Sequence, residues 1–167
     1  MSGFPTLEPA LTAQITFDPP VIIGNVNSGS QLSIALINSG TLKSEPDFSP
    51  AVDAKVEFGT DHFNLTQDLK YCTIDVKAAL KNVDGATISY AYKGHIEVTP
   101  ELGLILGESP SAKTTDFGHV FTHVTFETGA HHLKSLETGR FVGASRFVIE
   151  GGNGPVIEMK ISKIVKG

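Results

Sequence analysis

A carboxylate beside an imidazole can move a proton near neutral pH, and Asp61-His62 is such a pair. Adjacent residues on a strand point to opposite faces, so both reach one cavity only where the backbone turns. Gly59, just upstream, would permit a bulge there, while a solvated turn would use the same residue types. His119 and His123 share one phase of an alternating segment with Phe121 and Thr125. Four strand residues hold the two imidazoles roughly 13 Å apart, too far to chelate one ion but suited to single acid–base or hydrogen-bonding roles in a cavity. Asp61, His62 and His123 are therefore the catalytic candidates, and His119 and Phe121 are candidates for substrate binding.

Two further groups of polar side chains invite a similar reading. Tyr71, Thr73, Asp75 and Lys77 form a stripe opposite the apolar face of their segment. An exterior barrel face would carry such a stripe, but if it were buried, Asp75 and Lys77 would stand beside the substrate as an ion pair. Tyr90 and Tyr92 share a face and can offer phenolic hydrogen bonds to a bound carbonyl. His131-His132 is a loop pair and reads as solvated. Cys72 falls in the apolar phase with no designated base beside it, and reads as packing.

No phosphate-cradling glycine loop, nucleophile elbow or His-Glu-x-x-His helix is present, so hydride, phosphoryl and metal chemistry lack their usual equipment. Gly151-Gly152-Asn153-Gly154 lies between two alternating runs and opens no helix, so it reads as a turn. A single cysteine excludes an internal disulfide and any multi-cysteine metal cluster. No cofactor and no metal are expected. The formal charge of −5 and the thin spread of 13 lysines and arginines disfavour a nucleic-acid partner. No apolar run approaches the roughly 18 residues of a membrane helix, and the N-terminus lacks a secretory signal. A cytoplasmic location is expected, where the Asn64-Leu65-Thr66 sequon stays idle.

The elements that must position these residues are strands. The chain of 167 residues fits one domain, 1–167, and is dominated by period-two alternation broken by Gly, Pro, Asn and Asp. Leu11 to Phe17 alternates and stops at Pro19-Pro20, with Val21 to Gly24 as a short continuation. Gln31 to Ile37 sets Leu32, Ile34 and Leu36 on one face and closes at Asn38-Ser39-Gly40. Leu42 to Pro50 reads as irregular, and Val52 to Phe58 as a strand ended by Gly59-Thr60-Asp61-His62. Tyr71 to Lys81 and Thr87 to Val98 flank an Asp84-Gly85 hairpin signal, with an irregularity at Gly94. A short helix is expected over Leu102 to Leu106 in a long connection, a strand over His119 to Phe126, and a final pair over Arg140 to Ile149 and Val156 to Val165. About eight strands with such connections predict an all-β fold, a small antiparallel β-barrel enclosing an apolar cavity, with a two-sheet sandwich as the alternative.

Several local motifs line up over nearly the whole chain with one family. Leu7-Glu8-Pro9 leads into the first strand, with Pro19-Pro20 and Gly24 after it. Ile74-Asp75-Val76-Lys77 precedes Asp84-Gly85-Ala86, and Phe126-Glu127-Thr128 precedes Phe141-Val142-Gly143. In order and spacing these resemble the proteins grouped as domain of unknown function 3237. The resemblance implies a compact β-barrel of this length, with no assigned cofactor and no generally established reaction. An Asp-Trp-Gln of that family reads Asp61-His62-Phe63 here, its Tyr-x-Trp-Leu-Asn becomes Leu133 to Glu137, and an expected arginine aligns with Phe121. The acid persists where its neighbours have changed, which draws attention to Asp61.

The functional expectation is a cofactor-independent cyclase or isomerase of secondary metabolism. It would enclose a largely apolar metabolite and use one or two polar groups. The alternatives are a non-catalytic carrier with the same pocket, and a homo-oligomeric structural β protein. Apolar outer positions lead us to expect a homodimer.

Overall fold

The computed structural model describes residues 3–151 and 154–167; Gly152 and Asn153, at the tip of the last expected turn, lie outside the described residues. The strands are β1 (Thr6–Phe17), β2 (Val21–Asn25), β3 (Gln31–Ser44), β4 (Asp53–Leu65), β5 (Tyr71–Asn82), β6 (Thr87–Glu97), β7 (Val120–Thr128), β8 (Phe141–Ile149) and β9 (Pro155–Val165). Two short helices, α1 (Pro100–Leu106) and α2 (Ser135–Thr138), lie in connections. The sheet runs β1-β9-β8-β7-β6-β5-β4-β3-β2, and β1 also pairs with β3. That extra pairing closes eight antiparallel strands into a barrel and leaves β2 as an appended ninth. No described helix is long and apolar enough to cross a membrane.

Where the alternation is clean, structure follows sequence directly. On β5, Cys72, Ile74, Val76, Ala78 and Leu80 turn inward and are buried, while Tyr71 and Lys77 stay exposed. The Asp84-Gly85 turn forms as expected: Gly85 takes a φ of 89°, and the Ala86 amide donates to Asp84 Oδ1 at 2.9 Å. β6 then pairs with β5 from Lys81–Thr87 to Tyr71–Glu97 without a register break.

Three expectations are corrected. β3 does not stop at Asn38-Ser39-Gly40 but runs on to Ser44 between β1 and β4. Gly40 suits this passage, because a Cβ there would lie 2.8 Å from Val56 Cγ2 and 3.0 Å from the Gln14 carbonyl. The inward residues of β3 are Ser33, Ala35 and Ile37, whereas Leu36 is 57% exposed, so the apolar triplet Leu32, Ile34 and Leu36 takes the outer phase. Gly94 breaks no register; its missing side chain admits β7, whose Phe121 carbonyl would lie 2.1 Å from a Cβ.

The third correction sets the position of the site. Gly59 to His62 do not end a strand but sit in the middle of β4, paired with β3 on one side and β5 on the other. A bulge between Val56 and Phe58 shifts the alternation by one. Phe58 therefore points to solvent, and Gly59, Asp61 and Phe63 point into the barrel.

The barrel has two unlike ends. At one, a short 3-10 turn (His131–Leu133) and α2 bury Leu133 and Leu136. At the other, residues 98–119 cross between β6 and β7, carrying α1. Thr99 caps α1 by accepting from the Leu102 amide, and Leu102 and Ile105 are buried. The seam between β7 and β8 has only four cross-strand pairs, from Phe121–Ala144 to Val124–Phe141. Each end of the seam is patched by other chain: Glu137 of α2 accepts from the Thr128 amide, and Thr115 exchanges bonds with Phe147 of β8.

Candidate functional site

The bulge in β4 aims Asp61 into the bore, where it pairs across strands with Ala35 and Val76. Burial pushes its carboxyl up to about 7; the Asp75 backbone N–H opposes this, and the Asp75 carboxylate adds a smaller repulsion. Asp61 Oδ1 is buried with no hydrogen-bond partner among the described residues. Its neighbours register it electrostatically. Cys72 is raised to about 11, first by burial and then by Asp61. Tyr92 is raised well above its usual value, by burial first, then by Tyr90 and Asp61. Tyr90 is likewise held protonated by burial. A carboxyl that titrates near neutrality thus faces phenols that stay neutral.

Other walls of the same half of the barrel contribute small polar side chains. Ser33 of β3, Thr122 of β7 and Ser145 of β8 are all buried. The Tyr90 hydroxyl donates to Met159 Sδ at 3.5 Å, and the Thr122 hydroxyl donates to the same sulfur at 3.6 Å. Ser145 Oγ has no partner among the described residues.

Registers around the wall relate Asp61 to Ser145. One way, Asp61 leads through Val76, Tyr92 and Val124 to Phe141 of β8. The other way leads through Ala35 of β3 and on across β1 and β9, where Phe17 pairs with Ile37, Ile15 with Ile157 and Ile157 with Phe147. Two residues further along each strand, to reach the level of Ala35, this second path lands beyond Ile149. A closed, tilted barrel spreads one level between such landing points. Ser145 lies between them, on the strand opposite β4, so it faces Asp61 across the bore. Toward the end where residues 98–119 cross, the inward side chains Phe17, Phe63, Ile96, Phe147 and Ile157 are only partly buried, which makes this the more open end of the barrel.

The remaining candidates lie elsewhere. His62 is exposed on the outer wall, as alternation with Asp61 requires. There it joins Asp75, Lys93, His95, Asn64 and Thr73 along a groove of about 510 Å³. Asp75 pairs with Lys93 at 2.9 Å, rather than with Lys77, which points to solvent. His119, Phe121 and His123 take the outer phase around β7, not the bore, because the buried phase of that strand is Val120, Thr122, Val124 and Phe126. His119 pairs with Glu97 at 2.9 Å, and His132 with Asp84 at 2.7 Å. Tyr90 and Tyr92 do face the interior, 5.3 Å apart between ring centroids. Cys72 is buried, as packing requires.

Sequence reasoning missed Ser33, Thr122 and Ser145. Each is a small polar residue in the buried phase of its strand. For Ser145 that phase also holds Phe141 and Phe147, but the opposite phase holds Val142 and Val148, so alternation alone does not choose between them. Among the described residues no three His, Cys, Asp or Glu side chains gather to hold a metal ion.

A family model described as protein of unknown function (DUF3237) matches residues 5–164. No curated protein matches the chain. Among solved structures, a protein of unknown function from Clostridium acetobutylicum is similar at 24% identity and a TM-score of 0.72, over 95% of this chain and 99% of that one. A beta-barrel like protein from Acinetobacter baumannii is similar at 17% identity and a TM-score of 0.72, over 96% of each chain. A protein described as an enzyme from Penicillium herquei is similar at 17% identity and a TM-score of 0.62, over 96% of this chain and 94% of that one. At these identities the likeness establishes the barrel fold.

Proposed function

The chain belongs to the DUF3237 family, and on that premise we propose that its barrel binds a largely apolar small molecule at the open end and isomerises or cyclises it by proton transfer at Asp61, without a cofactor. The observation that carries this reading is a carboxyl inside the bore with a pKa of about 7 and a free lone pair. Near neutrality such a group is populated in both forms, and can take a proton from a bound molecule and return it elsewhere. The apolar walls hold the substrate and exclude water, and Tyr92, kept neutral, donates to oxygen charge that develops during the step. A net rearrangement of this kind leaves mass unchanged and consumes no co-reactant.

An enzyme of the same fold from Penicillium herquei favours catalysis over a passive carrier. We place the protein in the cytoplasm, and its exposed outer-wall residues Leu36, Phe58 and Phe121 favour a homodimer. The test is incubation with fractionated small-molecule extracts, read by chromatography coupled to mass spectrometry for peaks that move without changing mass. Asp61→Asn should lower conversion by about a hundredfold or more, and the wild-type rate should rise through a limb near pH 7 that the variant lacks. His62→Ala, on the outer wall, should leave it unchanged. Retained binding with no conversion in the wild type would make the protein a carrier.

A further inference from the structure

β3 is built the wrong way round for a barrel strand. Its inward residues are Ser33, Ala35 and Ile37, while the larger apolar side chains Leu32, Ile34 and Leu36 take the outer wall. Other strands follow the usual rule that a solvated wall is polar: β1 turns Thr12, Gln14 and Thr16 outward, and β5 turns Thr73, Asp75 and Lys77. The reversed strand does not stand alone. Val21 of β2 pairs with Ile34 and is 66% exposed, and Phe58, 70% exposed, lies two residues along β4 from Thr60, the partner of Leu36. Direct and diagonal cross-strand neighbours on one face reach each other, so these five apolar side chains form one patch. No Asp, Glu, Lys, Arg or His occurs from Pro19 to Leu42, in a chain that is 19% charged, so β2 and the outer half of β3 bring no charge to it.

We propose that this wall is the face on which two copies of the chain meet about a two-fold axis. An uncharged apolar patch is its own complement, because two copies placed face to face set no like charges against each other over it. The patch is on the order of 500 Å², so a pair buries roughly 1,000 Å², the low end of specific interfaces and the size that suits a dimer in exchange with its monomer. The contact is by faces and not by strand addition. Among the described residues β2 pairs with β3 alone, but it is five residues long, follows Pro19-Pro20 and carries a bulge between Ile22 and Gly24, the features that keep free edges from pairing. The proposal rests on the homodimer reading and gives it an interface, one that leaves out Phe121, three strands beyond β4 on β7.

The test is sedimentation velocity of the whole protein over a range of concentrations. The wild type should pass from monomer to dimer over a micromolar range. Leu36→Glu and Phe58→Glu, which set carboxylates against an apolar partner, should each stay monomeric throughout and, lying on the outer wall, melt within a few degrees of the wild type. Mixing Leu36→Glu with Leu36→Lys should restore a dimer, which a folding defect would not allow. Phe121→Glu should dimerise as the wild type does. A wild type that stays monomeric overturns the homodimer reading and the interface together. A dimer that survives both Glu variants, or that Phe121→Glu abolishes, overturns the interface alone, and a ring larger than a dimer overturns the two-fold pairing. A monomer that floats with vesicles of neutral phosphatidylcholine, and fails to do so as Leu36→Glu, overturns the proposal in favour of a lipid surface. Turnover at Asp61 stands or falls separately from all of these outcomes.

Discussion

The two ends of the barrel are made from the same alternating strands and treat polar atoms in opposite ways. At the closed end Leu80, Ile88, Leu133, Leu136 and Phe141 are essentially inaccessible, and Phe141 meets Phe126 edge-on at 5.3 Å and Phe48 at 6.2 Å. The buried polar groups there are satisfied: Asn82 accepts from the Asp53 amide at 2.8 Å, and Thr128 donates to the Thr87 carbonyl at 2.7 Å. In the mouth half, Asp61 and Ser145 keep buried oxygens without partners. The chain satisfies these polar groups at the closed end and leaves oxygens of Asp61, Ser145 and, on the outer wall, Asp75 without partners in the other half.

The largest effect should come from the closed end. Phe141→Ala removes a buried ring from an aromatic stack and should cost about 3–5 kcal/mol, measured by denaturant unfolding, with no pH dependence of its own. A cost near that of a surface substitution would mean the two ends are packed alike.

Next in size is Asp61, which should act on stability in the opposite sense. Its folded pKa of about 7 lies above the ordinary carboxylate value of 3.8, so between those values the folded chain holds a proton that the unfolded chain has released. The stability from this proton is fully present below about pH 4 and is lost as pH rises through about 7, by up to roughly 4 kcal/mol. Asp61→Asn should flatten that slope and be more stable than the wild type at pH 8, as read from Tm against pH. Parallel pH curves would put Asp61 in water rather than in the bore.

A smaller effect belongs to α1, in the connection between β6 and β7. Thr99→Ala removes the cap of α1 and should cost about 1 kcal/mol. It should appear as faster hydrogen exchange at residues 102–107, with the closed end unaltered. Smallest is Lys93→Ala on the outer wall, whose ion pair with Asp75 is largely exposed. We expect less than about 0.5 kcal/mol by the same unfolding assay.

How much of this was legible in the sequence varied by element. The β5–β6 hairpin could be read outright because alternation, an Asp-Gly turn and bounding polar residues agreed. β4 could not: Gly59, Thr60 and Asp61 favour turns locally, and only pairing with β3 and β5 on both sides keeps them extended. The bulge at residues 56–58 then reverses the phase, which no count of alternating residues reveals. Asp61 came forward through a family resemblance, and its separation from His62 followed from strand geometry. Its apposition to Ser145 depends on the stagger of a closed barrel, and so on pairings between β1 and the strands on either side of it.

That closure has a consequence for how the chain must be made. β1 pairs with β3 nearby in sequence, but also along its other edge with β9, from Thr6–Val165 to Ile15–Ile157. The first strand of the barrel waits for its ninth. During translation Leu11, Ala13 and Ile15 therefore border an unpaired ladder until β9 has left the ribosome, and only then can the bore acquire its shape. Such sequence-distant pairing slows folding and keeps a sticky edge open in the interim. Until β9 is in place, the free edge of β1 is therefore the barrel's most exposed ladder, and closure is a single late event rather than a gradual one.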